Sequence, residues 1–210
     1  MKTIIKRLYK MTILKVVRKI RYCALKNRDF TIISNNCWGG HIYRYFGMKY
    51  LSPTIGLYFF ADDYIKFVTN FEHYINCELT FIPRSKSKYY YNYKDKDKYY
   101  PIGKLDDIEI VFLHYKSEED AYQKWNRRKN RINYNNLIFK FNDMNLAKKE
   151  DILKFDALPY KNKICFVAND VPGTKNTLVF KMYNGFKCIE DDVRMYRKYL
   201  SPIKWLNSML

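Results

Sequence analysis

The chain has 210 residues, 48% of them apolar, and carries a net charge of +18. This length and apolar fraction supply one sizeable core and exclude a globally disordered chain. The five cysteines are odd in number and form no C-x-x-C, which argues against a disulfide framework and a zinc or redox motif and implies a reducing compartment.

The charge is uneven. Residues 1–28 hold ten Lys or Arg and no acid, leaving 29 bases against 21 acids, or +8, for the other 182 residues. Lys or Arg interrupts the apolar runs of this segment every three or four positions, so it reads as neither a signal peptide nor a membrane span. It suits a basic amphipathic helix, with Ile4, Ile5, Leu8, Ile13, Val16, Val17 and Ile20 broadly on one side. Such a helix either packs on the domain or holds the chain to an anionic membrane face.

Phe30 to Gly47, FTIISNNCWGGHIYRYFG, predicts a strand, a tight turn and a helix ended by Gly47. Cys37 falls near the helix N-terminus, where free N–H groups and the helix dipole favour negative charge and can lower a thiol pKa. Thr54 to Phe60 reads as a buried strand after Ser52-Pro53. Asp62-Asp63 suits the start of a helix running to about Asn76, and Cys77 to Ile82 reads as a strand stopped by Pro83.

Residues 84–100 are low in complexity and rich in Tyr and Lys, and read as a mobile or substrate-covering loop. The loop contains Asp95-Lys96-Asp97, formally the D-x-D of metal-dependent glycosyltransferases. Ile108 to Leu113 is the next strand. Ser117 with Asp120 forms a variant capping box for a helix running to about Arg131, acidic at its start and basic at its end. Strands follow at Leu137–Phe141, Ile164–Ala168 and Thr177–Met182. Helices are expected at Lys148–Asp156 and at Val193–Leu206, the latter bent or divided at Pro202.

This alternation predicts an α/β fold in three layers: a mainly parallel sheet with helices on both faces, formed by residues 29–210 and preceded by the basic helix of 1–28. In such a sheet ligands bind beyond the carboxyl ends of the strands. The positions just past the proposed strands bring together Cys37 as nucleophile, His114 or His41 as base, and Asp143 or Asp170 as orienter. Asn36, Trp38, Gly39, Gly40, Lys116, Trp125, Arg127 and Arg128 are the expected substrate contacts. Among these, the N–H groups of residues 38–40 would hold an oxyanion or phosphate, and the basic side chains a phosphorylated donor. The G-x-G-x-x-G dinucleotide fingerprint is absent, no metal set is assigned, and no nucleic-acid recognition module is present.

The blocks FTIISNNCWGGHIYRYFG, YLSPTIGLYFF, YPIGKLDDIEIVFLHYKSEEDAYQKWNRRKNRIN and FDALPYKNKICF resemble, in that order, a bacterial family catalogued as domain of unknown function 1919. The resemblance covers about residues 29–205 and leaves the basic N-terminal segment outside. Members of that family are often labelled exopolysaccharide or capsule biosynthesis proteins, so the resemblance implies surface-glycan work. Asn36-Cys37 after the first strand is also similar to acyltransferase-like capsule proteins. The flanking Gly and Gln are absent, so coenzyme A is not carried over and the cofactor stays open.

The expectation is therefore a transferase of surface polysaccharide, acyl- or glycosyl-, working through Cys37 and a histidine on a phosphorylated or nucleotide-activated sugar or acyl donor. It would be cytoplasmic, with a peripheral hold on the inner membrane face through residues 1–28. A metal-dependent glycosyltransferase and a non-catalytic glycan- or membrane-binding protein are the alternatives.

Overall fold

The computed structural model describes residues 2–93 and 98–209, without the side chains of residues 2–8, 10 and 11. Asp95 and Asp97 lie outside the described residues. A parallel sheet in the order β1-β5-β6-β7 is formed by β1 (Thr31–Ser34), β5 (Leu137–Asn142), β6 (Lys163–Val167) and β7 (Thr177–Val179). Its central strands alternate between two cores. Ile33, Phe139, Phe141, Cys165 and Val167 face one, and Ile32, Ile138, Ile164 and Phe166 face the other. Burial on both faces is what a parallel sheet with helices on each side requires. The expected α/β, three-layer, mainly parallel arrangement with helices on both faces is the observed one.

The first core is closed by α3 (Ala61–Thr69), α4 (Phe71–Asn76), α5 (Glu118–Lys129) and α6 (Lys149–Ala157). The second is closed by α2 (Trp38–Phe46), α7 (Asp192–Met195) and α8 (Pro202–Met209). Gly47 ends α2 at φ 67°, and its N–H returns to the carbonyls of Arg44 and Tyr43, as the sequence predicts. The Ser117 side chain accepts the N–H of Asp120 at the start of α5.

The structure corrects the middle of the chain. β2 (Thr80–Ile82), β3 (Ile102–Leu105) and β4 (Ile108–Val111) form a separate antiparallel sheet, so the strand expected at 108–113 does not belong to the parallel one. β3 was not anticipated, because Ile102-Gly103-Lys104-Leu105 is short and contains a glycine. Gly103 is needed there: a Cβ would lie 2.5 Å from the Phe112 ring. Residues 54–60 are buried but form only an isolated bridge from Tyr58 to Val111. Their carbonyls are used by side chains and turns instead of a ladder. The single helix expected over 61–76 breaks at Asn70, φ −123°, and Phe60 rather than an aspartate sits at the N-cap of α3.

The Tyr/Lys-rich segment is anchored where it is described. Tyr89, Tyr93 and Tyr100 are buried with Phe60, Ile102 and Val111. Tyr89 stacks on Phe60 at 4.0 Å. Buried Glu109 accepts Ser87 Oγ at 2.5 Å and the Lys88 N–H at 3.1 Å. Lys88 Nζ bridges to the buried Asp63 carboxylate at 2.5 Å. Three tyrosines of the segment read as a mobile or substrate-covering loop are therefore core residues, while Tyr90, Tyr91 and Tyr99 stay exposed.

α1 (Lys2–Cys23) runs along α2, with Arg21 over the Tyr45 ring at 3.9 Å and its end tied to Asn207 through Ala24 and Lys26. Its Tyr9, Ile13, Val16 and Ile20 stay exposed on one stripe, while Val17 is half-buried. No helix of the described residues is long and apolar enough to cross a membrane.

Candidate functional site

The carboxyl end of the parallel sheet carries a buried polar network. On β5 the face turned to α2 reads Ile138, Lys140, Asn142, passing from apolar to polar toward that end. Lys140 is completely buried and ion-paired to Asp192 at the start of α7. Its ammonium also donates to Asn36 Oδ1 at 3.0 Å and Asn35 Oδ1 at 3.4 Å. Asn36 Nδ2 reaches both Asp192 oxygens, at 2.9 and 3.0 Å, and Asn142 Nδ2 reaches one at 2.7 Å. Asn35 and Asn142 join side chains at 2.7 Å. Loss of solvent pulls Lys140 below the usual lysine range, against the pull of Asp192.

This network fixes the turn into α2. Asn36 Oδ1 accepts the Trp38 N–H at 3.1 Å, so that N–H closes a local turn and is not part of an oxyanion cradle. The Trp38 indole is fully buried and packs edge-on against Phe166, Tyr196 and Trp205, so it cannot be a substrate contact. Gly39 and Gly40 let α2 approach β1 and the 54–60 segment: a Cβ at either would stand 3.2 Å from Ile32 or Ile55.

Cys37 sits between two cavities and lines both. The larger, about 490 Å³, has an aromatic wall of Tyr58, Phe60 and Tyr100. Asn36, Asp143, Lys187, Glu190, Asp191 and Asp192 also line it. The loop after β5 closes one side and holds Asn145 and Leu146 at φ 56° and 68°, a strained pair for non-glycine residues. Asn145 pins this loop: its carbonyl accepts the Ala61 N–H at 3.0 Å and its Nδ2 donates to Phe59 O at 3.2 Å. The second cavity, about 410 Å³, lies between α2 and α5 and brings His41, Arg44, His114 and Arg128 together.

The thiol is not a resting thiolate. Burial, reinforced by the Asp192 charge, pushes Cys37 up to about 11, and its Sγ lies 3.8 Å from the Leu57 carbonyl. The helix N-terminus expected to lower it is outweighed by desolvation. His41 is held down to about 4 by burial and by Arg44, whose Nη2 stands 2.5 Å from His41 Nε2. His114 is lowered as well, by burial and the positive charges of Lys98 and Arg44. Both imidazoles are therefore neutral at pH 7, and the Nε2 lone pair of His41 is already occupied by the Arg44 guanidinium.

Other expected site residues fall elsewhere. Asp143 faces the larger cavity, but its carboxylate also clamps the Ala168 and Ile189 N–H groups at 2.6 and 2.9 Å, and burial raises its pKa. Asp170 is exposed and lines neither cavity, because the chain turns away after β6. Lys116 and Arg127 are exposed outside both cavities. Trp125 is fully buried against Phe112 on the core side of α5, so its expected substrate contact is withdrawn. Arg128, one helical position further on from Arg127, does reach the second cavity.

Lys140, Asp192 and Arg44 were missed. A lysine inside LIFKFN was a visible anomaly, since lysine is almost never fully buried unless paired. Asp192 lies far along the chain and gave no signal. Among the described residues no group of three or more His, Cys, Asp or Glu is placed to hold a metal.

Fold and site define an α/β protein with a paired pocket at the carboxyl edge of its parallel sheet. The family model described as domain of unknown function (DUF1919) matches residues 8–207, and the chain belongs to that family. The match takes in most of α1, correcting the expectation that the basic segment stands outside it. The chain is 32% identical over 190 residues to a Haemophilus influenzae protein described as uncharacterised, covering 87% of this chain and 86% of that one.

Proposed function

We propose that this protein is a transferase that modifies a sugar of cell-surface polysaccharide or its precursor, with Cys37 carrying the transferred acyl group. One observation carries the reading: a thiol lies at the junction of a sugar-sized aromatic and carboxylate cavity and a cavity holding two neutral imidazoles. Carboxylates and amides accept and donate to sugar hydroxyls, and tyrosine faces suit the C–H faces of a pyranose ring.

In the first half-reaction His41 or His114 takes the Sγ proton as the sulfur attacks the donor carbonyl. The S–C bond forms, the donor's leaving group departs, and the imidazolium returns the proton to it. In the second, the same imidazole takes a sugar hydroxyl proton as that oxygen attacks the thioester. The C–S bond breaks and the proton returns to sulfur. The neutral state of His114 supports such a base, whereas His41 would first have to release Arg44, and the raised thiol pKa makes a base necessary.

The exposed stripe of Tyr9, Ile13, Val16 and Ile20 among lysines and arginines supports a cytoplasmic protein held at the inner membrane face. Incubation with labelled acyl donors and a panel of glycan acceptors, followed by peptide mapping, tests the chemistry. The expected result is an acyl adduct on Cys37 and loss of transfer in Cys37→Ala. No adduct with unchanged transfer in that variant refutes the covalent step, and no glycan binding at all refutes the substrate class.

A further inference from the structure

The two cavities that meet at Cys37 have opposite electrostatics. The larger is lined by four carboxylates, of which Asp192 is paired with Lys140 and Asp191 with Arg194, and by Lys187. The smaller is lined by no carboxylate among the described residues; its charged groups are Arg44, Lys124 and Arg128. Lys124 is neutralised by Asp120 at 2.7 Å on its own helix. Arg44 and Arg128 have no carboxylate partner among the described residues.

Arg128 is the informative one. Only 7% exposed, it holds a full positive charge and satisfies it with neutral groups. Nη1 donates to Tyr115 Oη at 2.6 Å and Ile55 O at 3.3 Å, and the guanidinium lies 5.1 Å from the Tyr50 ring centroid. A buried cation without a counter-ion is costly, and such a fork is rigid before any ligand arrives. Arg44 faces it across the cavity from α2, held by His41. His114 stands beside Gly56, which is held at φ 74° with room for a Cβ only 3.4 Å from His114. Two guanidiniums without acidic partners among the described residues and two imidazoles thus converge on a space of about 410 Å³ next to the thiol.

We propose that this second cavity is an anion subsite that binds the phosphate or diphosphate of the activated donor, with Arg44 and Arg128 as its paired clamps. Its role in transfer rests on the reading in the preceding subsection; the binding itself does not. Planar Arg forks match phosphate oxygens in two-point contacts, and the cavity places the anion on the opposite side of Cys37 from the sugar. The same chemistry is offered by a soluble nucleoside diphosphate and by a lipid diphosphate. An anion there would add negative charge beside His41, which Arg44 now holds low, and beside His114, which Lys98 and Arg44 hold low. Asp191 and Asp192 already act on His41 from the far side.

The test is calorimetric titration of the full chain with inorganic pyrophosphate, alongside NMR titration of the His41 and His114 rings. Binding that raises both histidine pKa values and weakens about tenfold in Arg44→Gln is expected, since a charge-assisted hydrogen bond of that size is lost. Arg44 is exposed, so that variant should keep the wild-type melting temperature. Arg128→Lys, which keeps the charge but loses the fork, should also weaken binding. Unmoved histidines, or equal affinity in wild type and Arg44→Gln, overturns the assignment. Competition by ADP or UDP in one arm and by detergent-dispersed farnesyl diphosphate in the other identifies the soluble or lipid source. Pyrophosphate binding without any acyl transfer leaves this subsite standing and removes the transferase reading; transfer that Arg44→Gln leaves untouched removes the subsite's role in transfer.

Discussion

Replacing Asp192 by Asn probes the centre of the site. The wild-type carboxylate receives the Lys140 ammonium together with amide N–H groups from Asn36 and Asn142. The substitution keeps the shape, deletes the charge, and turns one oxygen into a donor facing other donors. Lys140 is then left fully buried without a counter-charge, facing only neutral amide oxygens: the one that the substitution keeps, Asn36 Oδ1 at 3.0 Å and Asn35 Oδ1 at 3.4 Å. Removing one member of a buried pair costs about 3–5 kcal/mol, because the other charge stays desolvated. Lys140→Met is milder, about 2 kcal/mol, since Asp192 keeps its two amide partners. The double variant carries neither charge. Its loss should fall short of the sum of the two single losses by at least about 1.5 kcal/mol. Urea unfolding of all four proteins at one pH, with the slopes compared, measures this. A loss in Asp192→Asn below about 1 kcal/mol, or strict additivity, would refute the claim that the pair is buried and coupled.

Alkylation of Cys37 by iodoacetamide, followed by peptide mapping, should be slow at neutral pH and rise with a midpoint near 11. The sign for stability follows: the folded chain keeps a proton that the unfolded chain releases near 9, so stability falls as pH rises from about 9 to 11. His41 should titrate near 4 by NMR, and Arg44→Ala should raise that value. Because the unfolded chain protonates His41 near 6.5, its contribution to stability is lost as pH falls from there toward 4. Gly103→Ala should cost about 1–3 kcal/mol in thermal or urea unfolding, as the new methyl would overlap Phe112 and Leu79; an unchanged midpoint would show that those side chains shift freely.

Local patterning carried much of this architecture. The strand, turn and helix around Cys37, the Ser117 cap, the Gly47 stop and the alternating strands of 137–182 are each specified by residues within one or two turns of one another. Their periodicity and capping chemistry are physical consequences of neighbours in the chain, so they are visible without a structure. The same holds for Lys140, an anomaly within its own strand, although its partner was not visible. Pairing across sequence distance was decided only by the tertiary structure. Whether Ile108–Val111 joined the parallel sheet or a hairpin depended on β3, whose short glycine-containing sequence is a weak local signal. Whether Tyr89 and Tyr93 were solvated or core depended on Phe60 and Glu109 coming under them. Trp125 and Arg128 lie on one helix, and the packing of Phe112 and Tyr115 sent the first into the core and the second into the cavity. The electrostatics of Cys37 followed the same division: the sequence placed it at a helix start, where a thiol is acidified, but burial beside Asp192, 155 positions away, reversed the sign. Desolvation and charge pairing are properties of what surrounds a group in space, and the order of residues along the chain does not contain them.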